Sequence, residues 1–250
     1  MTLTYTLLDV RRMVRNPGIL IFAVAMPAAF YAMFGALQGY SDIAVFHGNV
    51  SAMIMTSIAA YGGVIAASSL GADAALEQDR GWGRQLAITP MTPARYLLTK
   101  VVAIQLVALM PVAAVFALAA ILGARIDGIG WLWAFLLCWL CCVPFTIFGL
   151  GMAQLIRTET AGAITSFCVI GFAFLGNMLV PLSGTMLKLS RYTPLFGINQ
   201  LARYPVMGNW EVTGGEPVQF NIWIAVVNLG AWTALFALGA LLASRRGQER

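Results

Sequence analysis

Six stretches of the chain contain no Asp, Glu, Lys or Arg: 18–37, 50–70, 101–123, 131–153, 161–182 and 221–243. At a rise of about 1.5 Å per residue each is long enough to cross about 30 Å of hydrocarbon as a helix. The pattern therefore predicts an all-α membrane protein with six transmembrane helices in one transmembrane domain, residues 1–250. The 15 basic and 10 acidic residues all fall in the intervals between these stretches. Pro27, Pro111 and Pro144 lie inside spans, where neighbouring helices satisfy the freed carbonyls and a fixed kink or a hinge results.

Composition supports this reading. With 60% of residues hydrophobic and 10% charged, and a mean hydropathy of +0.82, there is too little polar surface to cover a water-soluble core. The formal charge of +5 is no sign of nucleic-acid binding, because basic residues beside apolar spans are what cytoplasmic loops require. Eleven of the Lys and Arg residues fall on the side that holds both termini and four on the other, which predicts cytoplasmic termini in a multi-pass protein of the plasma membrane. The first span has no cleavage site at its outer end and reads as a retained anchor. Trp131, Trp133 and Trp223 stand at outer span edges as interfacial anchors. No internal repeat is evident.

Three charged intervals fall on the predicted cytoplasmic side. In residues 1–17, Leu3, Leu7, Val10 and Val14 recur at helical spacing while Arg11, Arg12 and Arg15 fall away from them. That describes an amphipathic helix on the inner leaflet, with Asn16 and Pro17 opening the first span. The interval Leu76 to Lys100, "LEQDRGWGRQLAITPMTPARYLLTK", places Glu77, Arg80 and Arg84 on one face of a short helix and Ala75, Trp82 and Leu86 on the other. Gly81 and Gly83 each cost about 1 kcal/mol in a helix, so it needs a packing partner. Pro90 stops it, and Thr92 with Pro93 starts the next span. A solvated loop with one interfacial helix and a docking element for a cytoplasmic partner both fit this pattern. The third interval is "QLIRTETAG".

Little else in the chain carries chemistry. There is no G-x-x-x-x-G-K-[ST] phosphate loop, so this chain is expected to be no enzyme and to bind neither cofactor nor metal itself. His47 reads as a solvated loop residue, and one imidazole near Asp42 is a thin ligand set. Cys138, Cys141, Cys142 and Cys168 lie in apolar runs and read as packing residues. Ser183 in "PLSG" has no histidine within any span, which speaks against a membrane protease. Gln105, Asn177 and Asn228 are the amides within spans, read as interhelical hydrogen-bonding groups. Asn177, with Phe172, Phe174 and Met178, also forms a mixed aromatic and polar surface able to line a pathway for an amphipathic substrate. No charge lies deep in a span, which disfavours an ion-coupled carrier; Asp73 reads as interfacial. Residues 183–220 are too apolar for a free loop and predict short re-entrant or interfacial helices broken at Pro194 and Pro205.

"RNP" leading into a span with a central proline, the ordered Glu77, Gly81, Leu86, Thr89, Pro90 and Lys100, and the outer Pro181, Tyr192, Thr193, Pro194 and Arg203 together resemble the membrane subunit of an ABC-2 type transporter. The resemblance implies that the N-terminal helix and a coupling helix around Glu77 to Leu86 dock on a separate ATPase. Glu77, Arg80 and Arg84 would meet that partner, and Trp82 and Leu86 would hold the helix. Arg157, Thr158 and Glu159 would add a smaller contact. ATP and Mg²⁺ would belong to the ATPase, and a second six-span permease subunit would complete the pathway. The expected cargo is a hydrophobic or amphipathic compound such as a drug, antibiotic or lipid. Export of a lipid-linked glycan and a non-transporting scaffold or sensor subunit are the alternatives.

Overall fold

An apolar segment in hydrocarbon must satisfy its own backbone, so helices dominate the chain. The computed structural model describes residues 2–15, 21–77, 93–156, 158, 160–213 and 216–248. In chain order it contains α1 (Thr2–Val14), α2 (Met26–Tyr31), β1 (Ala44–Val45), β2 (Gly48–Asn49), α3 (Val50–Glu77), α4 (Pro93–Ile121) and α5 (Gly130–Leu140). These are followed by α6 (Val143–Ile156), α7 (Ala161–Leu175), α8 (Gly184–Ser190), α9 (Pro194–Met207), β3 (Trp210–Thr213), β4 (Glu216–Gln219) and α10 (Ile222–Gln248). α2 is flanked by π-helical turns, Ile21–Ala25 and Ala32–Ala36. They accommodate Pro27, which has no N–H to give the helix ladder.

α3 is the axis of the bundle and is buried on nearly every side. Its small residues allow backbones to approach closely, which is how helices associate in lipid without a hydrophobic driving force. A β-carbon at Gly71 would lie 2.5 Å from the Thr146 carbonyl oxygen on α6, and one at Gly149 of α6 would collide with the Ser68 carbonyl of α3. The two helices thus lock through reciprocal glycines. About two turns away along α3, Pro27 and Pro111 from two neighbouring segments both rest on Gly62. Cys138 donates to the Thr56 carbonyl at 3.3 Å, and the Cys142 thiol faces the carbonyls of Ala60 at 3.7 Å and Cys138 at 3.0 Å. Packing is the role the structure gives these thiols.

Among the described residues, four helical stretches are long and apolar enough to cross a membrane: Val50–Glu77, Leu97–Ile121, Gly130–Ile156 and Ile222–Ala243. Ala23–Ala36 and Ala161–Leu175 are apolar but shorter. The expected fourth span is interrupted at residues 141–142, immediately before Pro144, so it is two helices, α5 and α6. The expected fifth span stops at Leu175, because Asn177 adopts a left-handed conformation (φ 57°) that ends the helix. Pro93 is the first residue of α4, as predicted, whereas Asn16 and Pro17 lie outside the described residues.

The outer interval corrects two expectations. The break expected at Pro194 is present, since α8 ends at Ser190 and Pro194 opens α9, but Pro205 lies within the last turn of α9 and does not interrupt it. Trp210–Thr213 and Glu216–Gln219 pair as the antiparallel strands of a hairpin, β3–β4, where helices were expected.

Candidate functional site

Loops sort to two ends of the bundle. At one end, α1 lies across the start of α4. The face it turns to the protein carries Thr6, Asp9 and Met13, with Val10 and Val14 beside it, while Leu7 and Leu8 stay exposed. Leu7 is thus turned outward where lipid can cover it, as expected of a helix on the leaflet, whereas Val10 and Val14, expected on the same face, pack partly against the core. Asp9 reaches Lys100, whose side chain is 1% exposed; Nζ lies 2.9 Å from Oδ1 and 2.8 Å from Oδ2. The same ammonium donates to Glu77 Oε2 at 3.0 Å. Arg12 pairs with Asp9 at 3.2 Å and with Glu77 through its second carboxylate oxygen.

The cluster is electrically balanced: two carboxylates meet one ammonium and one guanidinium. Exposure is graded, at 1% for Lys100, 5% for Asp9, 30% for Glu77 and 52% for Arg12. A lysine buried to this degree is tolerable only with its charge paired and its donors used. Its placement is as informative as its chemistry. Glu77 is the last residue of α3 and Lys100 lies in the second turn of α4. The cluster thereby joins α1 to both helices that frame residues 78–92.

Of the expected partner-contact residues, Arg80, Trp82, Arg84, Leu86, Arg157 and Glu159 lie outside the described residues. Glu77 is described, and its carboxylate is occupied by Lys100 and Arg12 within this chain. Thr158 is exposed at the same end, with its hydroxyl 2.8 Å from that of Thr160. Next to it, Ala161 packs with Ala72, Ala75 and Ala153, so this short turn sits against the inner end of α3.

At the opposite end, β1–β2, residues 123–127 and the β3–β4 hairpin meet. Val206 accepts from the His47 N–H at 2.9 Å, the Asp127 N–H donates to the His47 carbonyl at 3.0 Å, and Asn49 donates to the Gly123 carbonyl at 3.0 Å. The Phe46 and Trp210 rings stack with centroids 5.4 Å apart. α9 fills the space between the ends of α3, α5, α7 and α10, and Pro194 to Gln200 are buried throughout. Beneath the hairpin is a second polar cluster. Asn177 and Gln200 donate to Glu211 Oε1 at 2.5 and 2.6 Å, Leu182 N–H donates to Asn177 Oδ1 at 2.7 Å, and Arg203 donates to Ser57 of α3 at 2.6 Å.

The expected pathway residues therefore part company. Phe174 is 49% exposed on the outside of α7. Phe172 belongs to an aromatic cluster, 5.8 Å from Phe148, which in turn stacks on Phe236. Met178 is in the core, and the Asn177 amide is buried and engaged with Glu211 and Leu182. The reading of span amides as interhelical hydrogen-bonding groups agrees with the geometry. Gln105 and Trp139 exchange bonds between α4 and α5, and Asn228 joins α10 to the carbonyls of Arg191 and Thr193.

Sequence reasoning missed Asp9 and Glu211. For Asp9 a signal was present, since Thr6, Asp9 and Met13 are themselves at helical spacing, but the apolar positions drew the assignment. Glu211 has no local signal, since two of its partners come from α9 and the end of α7.

Comparison with known proteins gives two results. A family described as ABC-2 type transporter matches residues 3–196. A protein of Bacillus subtilis (strain 168), "Putative transport permease YvfS", is 24% identical over 237 residues, covering 92% of this chain and 91% of its own length.

Proposed function

Because the chain belongs to the ABC-2 type transporter family, we propose that it is the membrane subunit of an ATP-driven exporter that moves a hydrophobic or amphipathic compound, such as a drug, antibiotic or lipid, out of the cell. A separate cytoplasmic ATPase supplies ATP, Mg²⁺ and the energy, and a second six-span subunit pairs with this one. The observation that supports this most directly is the ion-paired junction of α1, α3 and α4 around residues 78–92. A segment whose flanking helices are tied to α1 by ion pairs is a suitable place to receive force. The outer end, filled by α9, fits a pathway closed at rest. The exposed Phe174 and the uncharged spans suit an apolar cargo.

In this reading both termini and residues 78–92 face the cytoplasm, Arg80 and Arg84 meet the ATPase, Trp82 and Leu86 brace the helix, and Arg157, Thr158 and Glu159 add a smaller contact. Glu77 acts from behind, through its pairs with Lys100 and Arg12. Purification of this chain with its ATPase, for wild type and for Arg80→Glu and Arg84→Glu at matched membrane expression, tests the assignment. Each reversal is expected to weaken the contact by about 1–3 kcal/mol. Full retention of the ATPase by both variants defeats the docking assignment, and an ATPase whose rate is indifferent to this chain points to a scaffold. Labelling single cysteines from outside intact cells checks orientation: positions 47, 127 and 210 should react and position 84 should not.

A further inference from the structure

We infer that Lys100 is a positioning residue for energy coupling: with Asp9, Glu77 and Arg12 it makes α1 and the two helices framing residues 78–92 one lever. The inference rests on the docking reading of residues 78–92 and adds to it a named conductor.

Three observations carry it. First, the cluster joins three elements that nothing in the local sequence joins: Asp9 and Lys100 are 91 positions apart, and Glu77 and Lys100 are 23 apart. Second, its members sit at the two ends of a single interval, Glu77 closing α3 and Lys100 in the second turn of α4. Third, the lysine is the sealed member, whereas Arg12 and Glu77 are progressively more open. The ammonium donates to one oxygen of Asp9 and one of Glu77 and lies 2.8 Å from the second oxygen of Asp9, which ties it to α1 and α3 at once. Displacing either helix end must then carry α1 with it, because separating the charges inside the protein costs more than moving the helix.

A lysine retained only for folding predicts something different from a lysine that transmits motion. Two measurements separate them. The first uses the full chain alone in liposomes, with spin labels at positions 8 and 98, where the native leucines are both exposed. Wild type should give a single narrow distance distribution. Lys100→Met should widen it at least twofold, and Lys100→Arg should restore it. An unchanged distribution in Lys100→Met overturns the lever, whatever the ATPase does.

The second uses the complex as purified with its ATPase. Lys100→Met should retain the ATPase within about twofold of wild type yet lose at least tenfold of the ATP hydrolysis that depends on this chain, and Lys100→Arg should recover most of it. Undiminished hydrolysis in Lys100→Met overturns the inference, as does parallel loss of ATPase retention, which would mark a purely structural role. Failure of the docking reading shows elsewhere, in full retention by Arg80→Glu and Arg84→Glu.

Discussion

The two ends of this bundle solve the same problem, holding polar groups in an apolar protein, with different chemistry. The inner end uses full charges in a balanced cluster that opens gradually from Lys100 to Arg12. The outer end gathers amides around Glu211, whose charge also faces the Arg203 guanidinium, and is sealed by α9 and the hairpin, with Asn177 2%, Gln200 5% and Glu211 4% exposed. Amide dipoles around a buried acceptor give a short-ranged, directional hold. Paired charges act over longer distances and keep their attraction while geometry shifts by an ångström or so. The first of these ends thus relies on charge pairs and the second chiefly on directional hydrogen bonds.

The largest test of this contrast is Asp9→Ala. It removes one of the two carboxylates described around the buried Lys100, and breaking such a pair costs about 3 kcal/mol, the low side of the usual range because Glu77 stays. Thermal unfolding in detergent should show a clear drop, and an unchanged midpoint would mean water already shares the site. A smaller effect is expected at the outer end. Glu211→Ala strips the acceptor from two buried amides at about 1–3 kcal/mol, while Glu211→Gln keeps an acceptor oxygen and should recover at least half of that. If the two variants prove equal in the same assay, the carboxylate charge and not its hydrogen bonding holds the hairpin. The smallest effect belongs to Arg12→Gln. Half-exposed guanidinium pairs contribute about 0.2–1 kcal/mol, so raising the ionic strength of the wild type to 1 M salt should erase most of the difference between the two proteins.

Four of the six uncharged stretches correspond to helices long enough to cross a membrane, and they were legible because hydrocarbon excludes charge so strongly. What the stretches hid is where helices break. The interruption at residues 141–142 and the stop at Asn177 sit inside uninterrupted apolar text, because such a break is decided by Pro144 and by a left-handed backbone, not by polarity. The inner cluster was half legible: Glu77 and Lys100 both stood out in the interval Leu76 to Lys100, but Glu77 was assigned to a face that meets the ATPase and not to Lys100. Asp9 did not stand out, because an acidic residue in an amphipathic helix is ordinarily assigned to water, and its partner lies 91 residues away. Glu211 was out of reach for the same reason, since its burial is created by α9 folding back among the spans. Residues 78–92, which carry most of the partner-contact assignment, rest on the sequence and on the family.

Three of the four thiols are already closed to reagents in solution. Cys138, Cys141 and Cys142 are buried and Cys168 is half-exposed on α7. At Gly63 even one added carbon would come within 2.7 Å of the Cys142 sulfur, so no alkylating group has room there. A maleimide needs an accessible thiolate, so the folded chain should accept at most one label, at Cys168, and the unfolded chain four. Stoichiometry of alkylation, read by intact mass in the native sequence, therefore counts unfolded molecules directly, and a fluorophore on Cys168 follows α7 without any engineered cysteine.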